Sequence, residues 1–351
     1  MTTELSFPEC RRAQPCNKGF RRRLFVIFLG LFAIVYSIVW YYLAAWVEGE
    51  VQKSRQDLLR SGIIAQCGNL HKTGYPLRIA IACDSPGFHK ADNSITLSGA
   101  QLVASAPIYA PHWVSFDITA PVRLEATEKY SLHGKWDAMR IEINPGRKTL
   151  DGLVLSIENA QVTTAPATDK TVPVIAAEFI HLDATRADEH LTTRLTFDTV
   201  KLPWIKTASR LGIPALDGQI ILTMDSPEQL FATDGTPWPR RLKGRSGMIE
   251  RAVFSPASGG RLTFSGPFSI SEQGLLSGQF TLSVHDAMML KPVLSDLFPE
   301  QAGNMTTLLF ILGSMEKDEA GNPMLKLDVT EGRMRMGFIK LGKIPPIGGA
   351  Q

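Results

Sequence analysis

Cysteine is scarce in this chain, with four residues in 351: Cys10, Cys16, Cys67 and Cys83. None stands in a C-x-x-C spacing, which argues against a redox-active dithiol. Positive charge is also scarce outside one short region. Residues 1–23 carry Arg11, Arg12, Lys18, Arg21, Arg22 and Arg23 against only Glu4 and Glu9, so the overall +3 leaves a body of about −1. A near-neutral body lacks the basic stripe that phosphate neutralisation demands, which argues against a nucleic-acid binder.

Catalytic signatures are missing as well. The chain has no G-x-x-x-x-G-K-[ST] phosphate loop and no H-E-x-x-H. Gly244-Arg245-Ser246-Gly247-Met248 lacks the last glycine of a nucleophile elbow. Ser314-Met315-Glu316-Lys317 fits S-x-x-K and Lys72-Thr73-Gly74 fits K-T-G, but they run in reversed order with no S-D-N between, as chance produces. The stretch "HLDATRADEH" supplies His181, Asp183, Asp188, Glu189 and His190, side chains that ligate metals. A solvated turn between two strands accounts for the same letters and is preferred. His112-Trp113 reads as packing beside a proline bend more readily than as a recognition spot. The expectation is a protein that is not an enzyme and uses no cofactor or metal.

One long uncharged run stands out, "LFVIFLGLFAIVYSIVWYYLAAWV", Leu24 to Val47. As a helix it reaches about 36 Å, enough for a hydrocarbon core of roughly 30 Å. Trp40, Tyr41, Tyr42 and Trp46 gather at its far end, where amphipathic rings favour the headgroup layer, and the arginine cluster marks the near end as cytoplasmic. A cleaved signal needs a shorter apolar core and a small-x-small site, whereas Tyr42 and Leu43 lie two residues before Ala44 and Ala45. The reading is a retained single-pass anchor over 24–47 behind a basic cytoplasmic segment, 1–23. "EGEVQKSRQDLLRSG", residues 48–62, continues as a polar helical stalk.

With everything beyond the anchor outside the cytoplasm, Cys67 and Cys83 occupy an oxidising compartment and the other two cysteines a reducing one. A Cys67–Cys83 disulfide is expected, closing a loop of about 17 residues and worth about 3 kcal/mol in the chain-entropy model. Two unpaired buried thiols are the alternative. The bond would pin the end of the stalk to the strand "LRIAIAC", whose Leu77, Ile79, Ile81 and Cys83 share a face, with Gly74-Tyr75-Pro76 as the turn before it.

From residue 77 the chain falls into short alternating stretches separated by Gly, Pro, Asn or Asp, the pattern of antiparallel meanders with one dry and one wet face. The fold class is mainly β: an antiparallel sheet behind a single membrane helix, with a few short helices. Helical breaks are expected in "PWIKTASRLG" and in "DAMMLKPVLSDLF" with "NMTTLLFIL". Pro-rich residues 234–241 form a soft linker between β-rich regions 63–233 and 242–351. In the second region Leu262, Phe264, Phe268 and Ile270 share one strand face, and Phe280, Leu282 and Val284 another. Met288, Met289, Met334 and Met336 serve either as a pliable groove lining or as ordinary core filling.

The order "G…L.F.G.F.I…G…G.F.L.V.D…L", a helical pair and a closing "L.V..G…G…LG.IPP." resembles the C-terminal region of AsmA-like membrane-anchored periplasmic proteins. The basic terminus, single span, "C…TGYP.R…C" and "SAPIYAPHWV" together are similar to an alphaproteobacterial family catalogued as domain of unknown function 2125. The resemblance implies an inner-membrane protein whose bulk is periplasmic and whose elongated, curved, groove-forming β-sheet handles lipid. Its apolar faces, Leu262 to Ile270 and Phe280 to Val284, are then candidate lipid-facing residues and membrane lipids the candidate cargo, in lipid transfer or envelope maintenance. The alternative is a non-enzymatic scaffold or assembly factor that binds envelope proteins, its sheet filled by its own side chains.

Overall fold

The computed structural model describes residues 18–60, 62–91, 94–126, 130–146, 150–165, 172–203, 214–225, 227, 230, 238–297, 299–336 and 339–347. Cys10, Cys16, the stretch "PWIKTASRLG" after its first proline and the start of the 234–241 segment lie outside these residues.

A single helix, α1 (Lys18–Arg60), runs through the apolar segment and the stalk without a break. Residues Arg22–Gly49 of it are long and apolar enough to cross a membrane, as an anchor or a signal sequence does. Its apolar side chains are exposed on nearly every side, Phe25, Leu31, Ile38 and Tyr42 among them.

Eighteen strands follow. The first group is β1 (Ile63–Gln66), β2 (Asn69–Thr73), β3 (Arg78–Asp84), β4 (Gly87–Lys90), β5 (Ile95–Pro107), β6 (Val114–Ala126), β7 (Tyr130–Lys135), β8 (Ala138–Pro145) and β9 (Leu150–Ala165). Next come β10 (Val172–Ala187), β11 (His190–Val200) and β12 (Leu216–Asp225), the short helix α2 (Trp238–Arg241), β13 (Ser246–Pro256), β14 (Arg261–Ile270) and β15 (Leu276–His285). A 3₁₀ turn, Ala287–Leu290, leads into α3 (Lys291–Leu297) and α4 (Met305–Gly313), after which β16 (Met324–Thr330), β17 (Arg333–Met336) and β18 (Ile339–Lys343) close the chain.

All pairings are antiparallel and belong to one sheet. From β9 to β18 each strand pairs with its successor, a pure meander. The first part is denser. Both β3 and β4 lie along β5, with β2 and β1 outside them, and β7 and β8 together fill the space between β6 and β9. Shared rows shorten the sheet relative to single-file stacking of every strand. The sheet also runs across the stretch read as a linker: β12 pairs directly with β13 from Leu216↔Pro256 to Met224↔Gly247. Pro and Gly punctuation there marks a long connection between neighbouring strands of one sheet.

Candidate functional site

Side chains directly opposite in an antiparallel ladder point to the same face, so the register shows what each face carries. One line across the sheet reads Ile81, Ala104, Phe116, Ile141, Leu155, Leu182, Leu195, Ile220, Ala252, Phe264, Leu282, Leu325, each paired with the next. Every member is apolar. The line one residue away reads Val103, Asp117, Arg140, Ser156, His181, Thr196, Gln219, Val253, Thr263, Ser283, Met324. That face is polar over most of its width, and Asp117 accepts from Arg140 Nε at 2.7 Å, which raises the arginine's already high pKa.

Among the described residues no second sheet lies over the apolar face, and its central members Leu155, Leu182, Leu195, Ile220 and Phe264 are only half-buried. Two local covers close it elsewhere. At the β14–β16 end, Leu290, Met305, Leu309 and Leu312 pack on Val284, with Leu262, Leu282 and Leu325 against the cluster. Across β10–β12, Leu230 is 1% exposed against Ala184, Leu191 and Met224, with Leu153, Leu242 and Phe268 alongside.

The seven candidate lipid-facing residues therefore share one face but not one environment. Leu262, Leu282 and Val284 lie under the α3–α4 cover and Phe268 against the Leu230 cluster. Ile270 is buried. Phe280 is 3% exposed although the sheet is single-layered, because its ring folds over Gly278, where a Cβ would come within 2.7 Å of it, and stacks on Phe264 at 4.7 Å. Phe197 does the same over Gly218. Glycine opposite an aromatic lets the ring lie flat and keeps the face smooth. Phe264 alone of the seven is half-buried in the uncovered part.

Sequence reasoning missed the open centre of the face, Leu155, Leu182, Leu195 and Ile220. Strand alternation was the signal that pointed to them.

The cysteines behave as expected: Cys67 and Cys83 form a disulfide with Cα atoms 5.7 Å apart. Next to it Asp84 accepts from Gln101 and Asn69, with His71 nearby, and its carboxyl is held below the ordinary carboxylate range by those contacts in that order. The metal-type side chains are not gathered. His181 bonds Ser156 at 2.9 Å, Asp183 stands opposite Arg194, Asp188 and Glu189 form the β10–β11 turn, and His190 pairs with Asp225. No group of three metal-ligating side chains occurs among the described residues. Ser314 ends α4 by bonding Ile311 O, while Lys72 pairs with Glu48, so the S-x-x-K and K-T-G fragments serve separate local contacts. Trp113 lies over Gly152, a packing role, while His112 is exposed. Met288 and Met289 line a cleft of about 460 Å³ beside Leu309 and Phe310; Met334 stands opposite Val329, toward the other end of β15.

The remaining built contact joins α1 to the β2–β3 hairpin. Trp40 Nε1 donates to Arg78 O at 2.9 Å, Tyr36 Oη donates to Pro76 O, and Ser37 Oγ and Tyr75 Oη are 2.7 Å apart. The Tyr75 ring meets Trp40 edge-on at 5.3 Å. Trp40 and Ala44 are 3% and 0% exposed.

A one-layer antiparallel sheet with a dry face, joined to an apolar N-terminal helix, defines an architecture. The chain belongs to the bacterial family described as "Uncharacterized protein conserved in bacteria (DUF2125)", which matches residues 40–345. No curated protein and no solved structure matches it. The family match does not carry the AsmA likeness with it.

Proposed function

We propose that this protein is anchored in the bacterial inner membrane by α1, N-terminus inward, and holds lipid acyl chains on the apolar face of an AsmA-like periplasmic sheet, in lipid transfer or envelope maintenance. It is not an enzyme in this reading. The observation that carries it is the unbroken apolar line from Ile81 to Leu325, left half-buried at its centre. An apolar sheet face in water is costly, at about 25 cal/mol per Å² of surface left wet, so an occupant is called for. Acyl chains suit it because they need no hydrogen bonds and conform to a smooth surface. Retention of α1 is supported by Trp40 and Ala44, which are as buried as any core residue; cleavage would strip them from the hairpin.

The α3–α4 and Leu230 covers favour a second reading in one respect, since they show that this sheet fills part of its own face. A photo-crosslinking amino acid placed at Leu195 and, separately, at Thr196 of the full chain in cells separates the two. These neighbours project from opposite faces. Lipid adducts at position 195 and none at 196 are expected. Envelope proteins captured at 195 in place of lipid would favour the scaffold, and no adduct at 195 would overturn lipid handling.

A further inference from the structure

We infer that the β2–β3 turn and the β5–β6 loop are inserted into the leaflet on the sheet's side of the bilayer, at the depth where headgroups give way to acyl chains. The inference rests on α1 being a membrane span.

The depth follows from where the hairpin touches the helix. Its wet end is fixed at Glu48, which pairs with Lys72 at 2.7 Å. From there the hairpin descends along α1 past Trp40 to Ser37 and Tyr36. Glu48 to Tyr36 is about 18 Å of helix at 1.5 Å per residue. The contact positions 36, 40, 44 and 48 recur every four residues and form one stripe, while Tyr42 and Ile38 off that stripe are exposed. Tyr36 and Ser37 stand inside the apolar run Leu24–Val47, about one turn below Trp40, the first ring of the aromatic belt. Whatever packs against them lies at or below the headgroup layer.

What packs there has the chemistry for it. Thr73 to Leu77 carries no charge, and neither does Ala104 to Pro111 in the adjoining loop. The two are joined by Ile108 N donating to Leu77 O at 3.1 Å. Tyr75, Leu77 and Tyr109 are 50%, 66% and 81% exposed, a cluster of large apolar groups at the sheet's corner nearest α1. Irregular backbone at membrane depth must satisfy its own polar groups. Here Pro76, Pro107 and Pro111 have no N–H to satisfy, and the amides of Arg78, Ala110 and Trp113 bond to Gly74, Pro107 and Ala110 carbonyls. Tyr75 and Tyr109 supply the amphipathic rings that the interface favours. The occupant of this surface is therefore phospholipid at the headgroup–acyl boundary. Leu77 also shares its face with Ile79 and Ile81, so that face of β3 leads from the inserted turn to the start of the apolar line at Ile81, opposite Lys72 at the wet end.

The test uses the full chain in phospholipid vesicles, with Cys10 and Cys16 changed to Ser and an environment-sensitive fluorophore on one introduced cysteine at a time. Tyr109→Cys and Leu77→Cys, at exposed positions that leave the fold intact, should emit to the blue and be quenched by nitroxide-labelled acyl chains. Leu31→Cys in mid-span should behave likewise, and Lys326→Cys on β16 should not. Quenching at 31 without quenching at 77 and 109 overturns the insertion and leaves the anchor standing. Loss of quenching at 31 as well overturns both.

Discussion

The covered end of the apolar face and its open centre are built from the same residue types in the same sheet. Leu282 and Leu325 sit beside a cluster whose Leu290 is 1% exposed; Leu195 and Ile220, on the same line, are half-buried and belong to neither buried cluster of the described residues. Alternation gave all of these one face, but the α3–α4 segment and Leu230 decide which part of it is covered. The difference separates what the sheet needs for stability from what it leaves available. A core site loses transfer energy and gains a cavity on truncation, whereas a half-wet site loses only part of the first term.

The largest effect is expected where the cover is complete. Leu290→Ala should destabilise by about 2–5 kcal/mol, and Leu230→Ala by a similar amount, read as a lower midpoint in chemical or thermal unfolding. Leu195→Ala in the open centre should cost about 1 kcal/mol, since much of its surface is wet in the apo protein. Equal losses at Leu195 and Leu290 would mean that the centre is covered in solution. Added phospholipid should raise the midpoint of the unaltered protein more than that of Leu195→Asp.

Between these lies the region near α1, where the first rows are held by a covalent bond. Cys83→Ser should cost about 3 kcal/mol, lowering the melting temperature by several degrees, because the bond restricts a long loop in the unfolded chain. Its effect should be lost under reducing conditions, when both proteins unfold alike. Mobility that is unchanged by reductant on gels of protein from an oxidising compartment would contradict the pairing.

How much of this was legible before the structure depended on the range of the interaction. The long apolar helix, the Cys67–Cys83 pair, the helical pair near residue 300 and the dry faces of β14 and β15 all follow from local pattern or from the compartment read out of it. Contacts between distant segments did not follow. Nothing in Trp40 says that it donates to Arg78 O, and its place in an aromatic belt explains its presence equally well. Leu230 lies in a stretch with no periodicity, yet it seals three strands. Phe280 reads as one more ring on the dry face of β15, yet it is buried by folding over a glycine on its own strand, a contact that alternation cannot express. The 234–241 segment carries the same ambiguity: a proline-rich connection looks the same whether it joins domains or adjacent strands.

The smallest expected effect concerns how the α4 cover is fastened to the opposite, polar face. Asp318, in the loop after α4, accepts from Ser283 Oγ on β15, and from the backbone amides of Asn322 and Ala320. Those donors, Ser283 first, lower its pKa from 3.8 to about 2. A carboxyl whose folded pKa lies below its unfolded value contributes stability above the unfolded value and loses it as pH falls through the folded one. The contribution should therefore be intact above about pH 4 and gone below about pH 2, and because the group is exposed it should be small. Amide exchange at Asn322 and Ala320 should speed up across that window, with the carboxyl carbon of Asp318 titrating at the same midpoint. In Asp318→Asn, which cannot titrate, exchange at these amides should show no step between pH 4 and 2. A step of the same size in that variant would place the acid sensitivity elsewhere, and the α4 cover would then be held by Leu290, Leu309 and their neighbours alone.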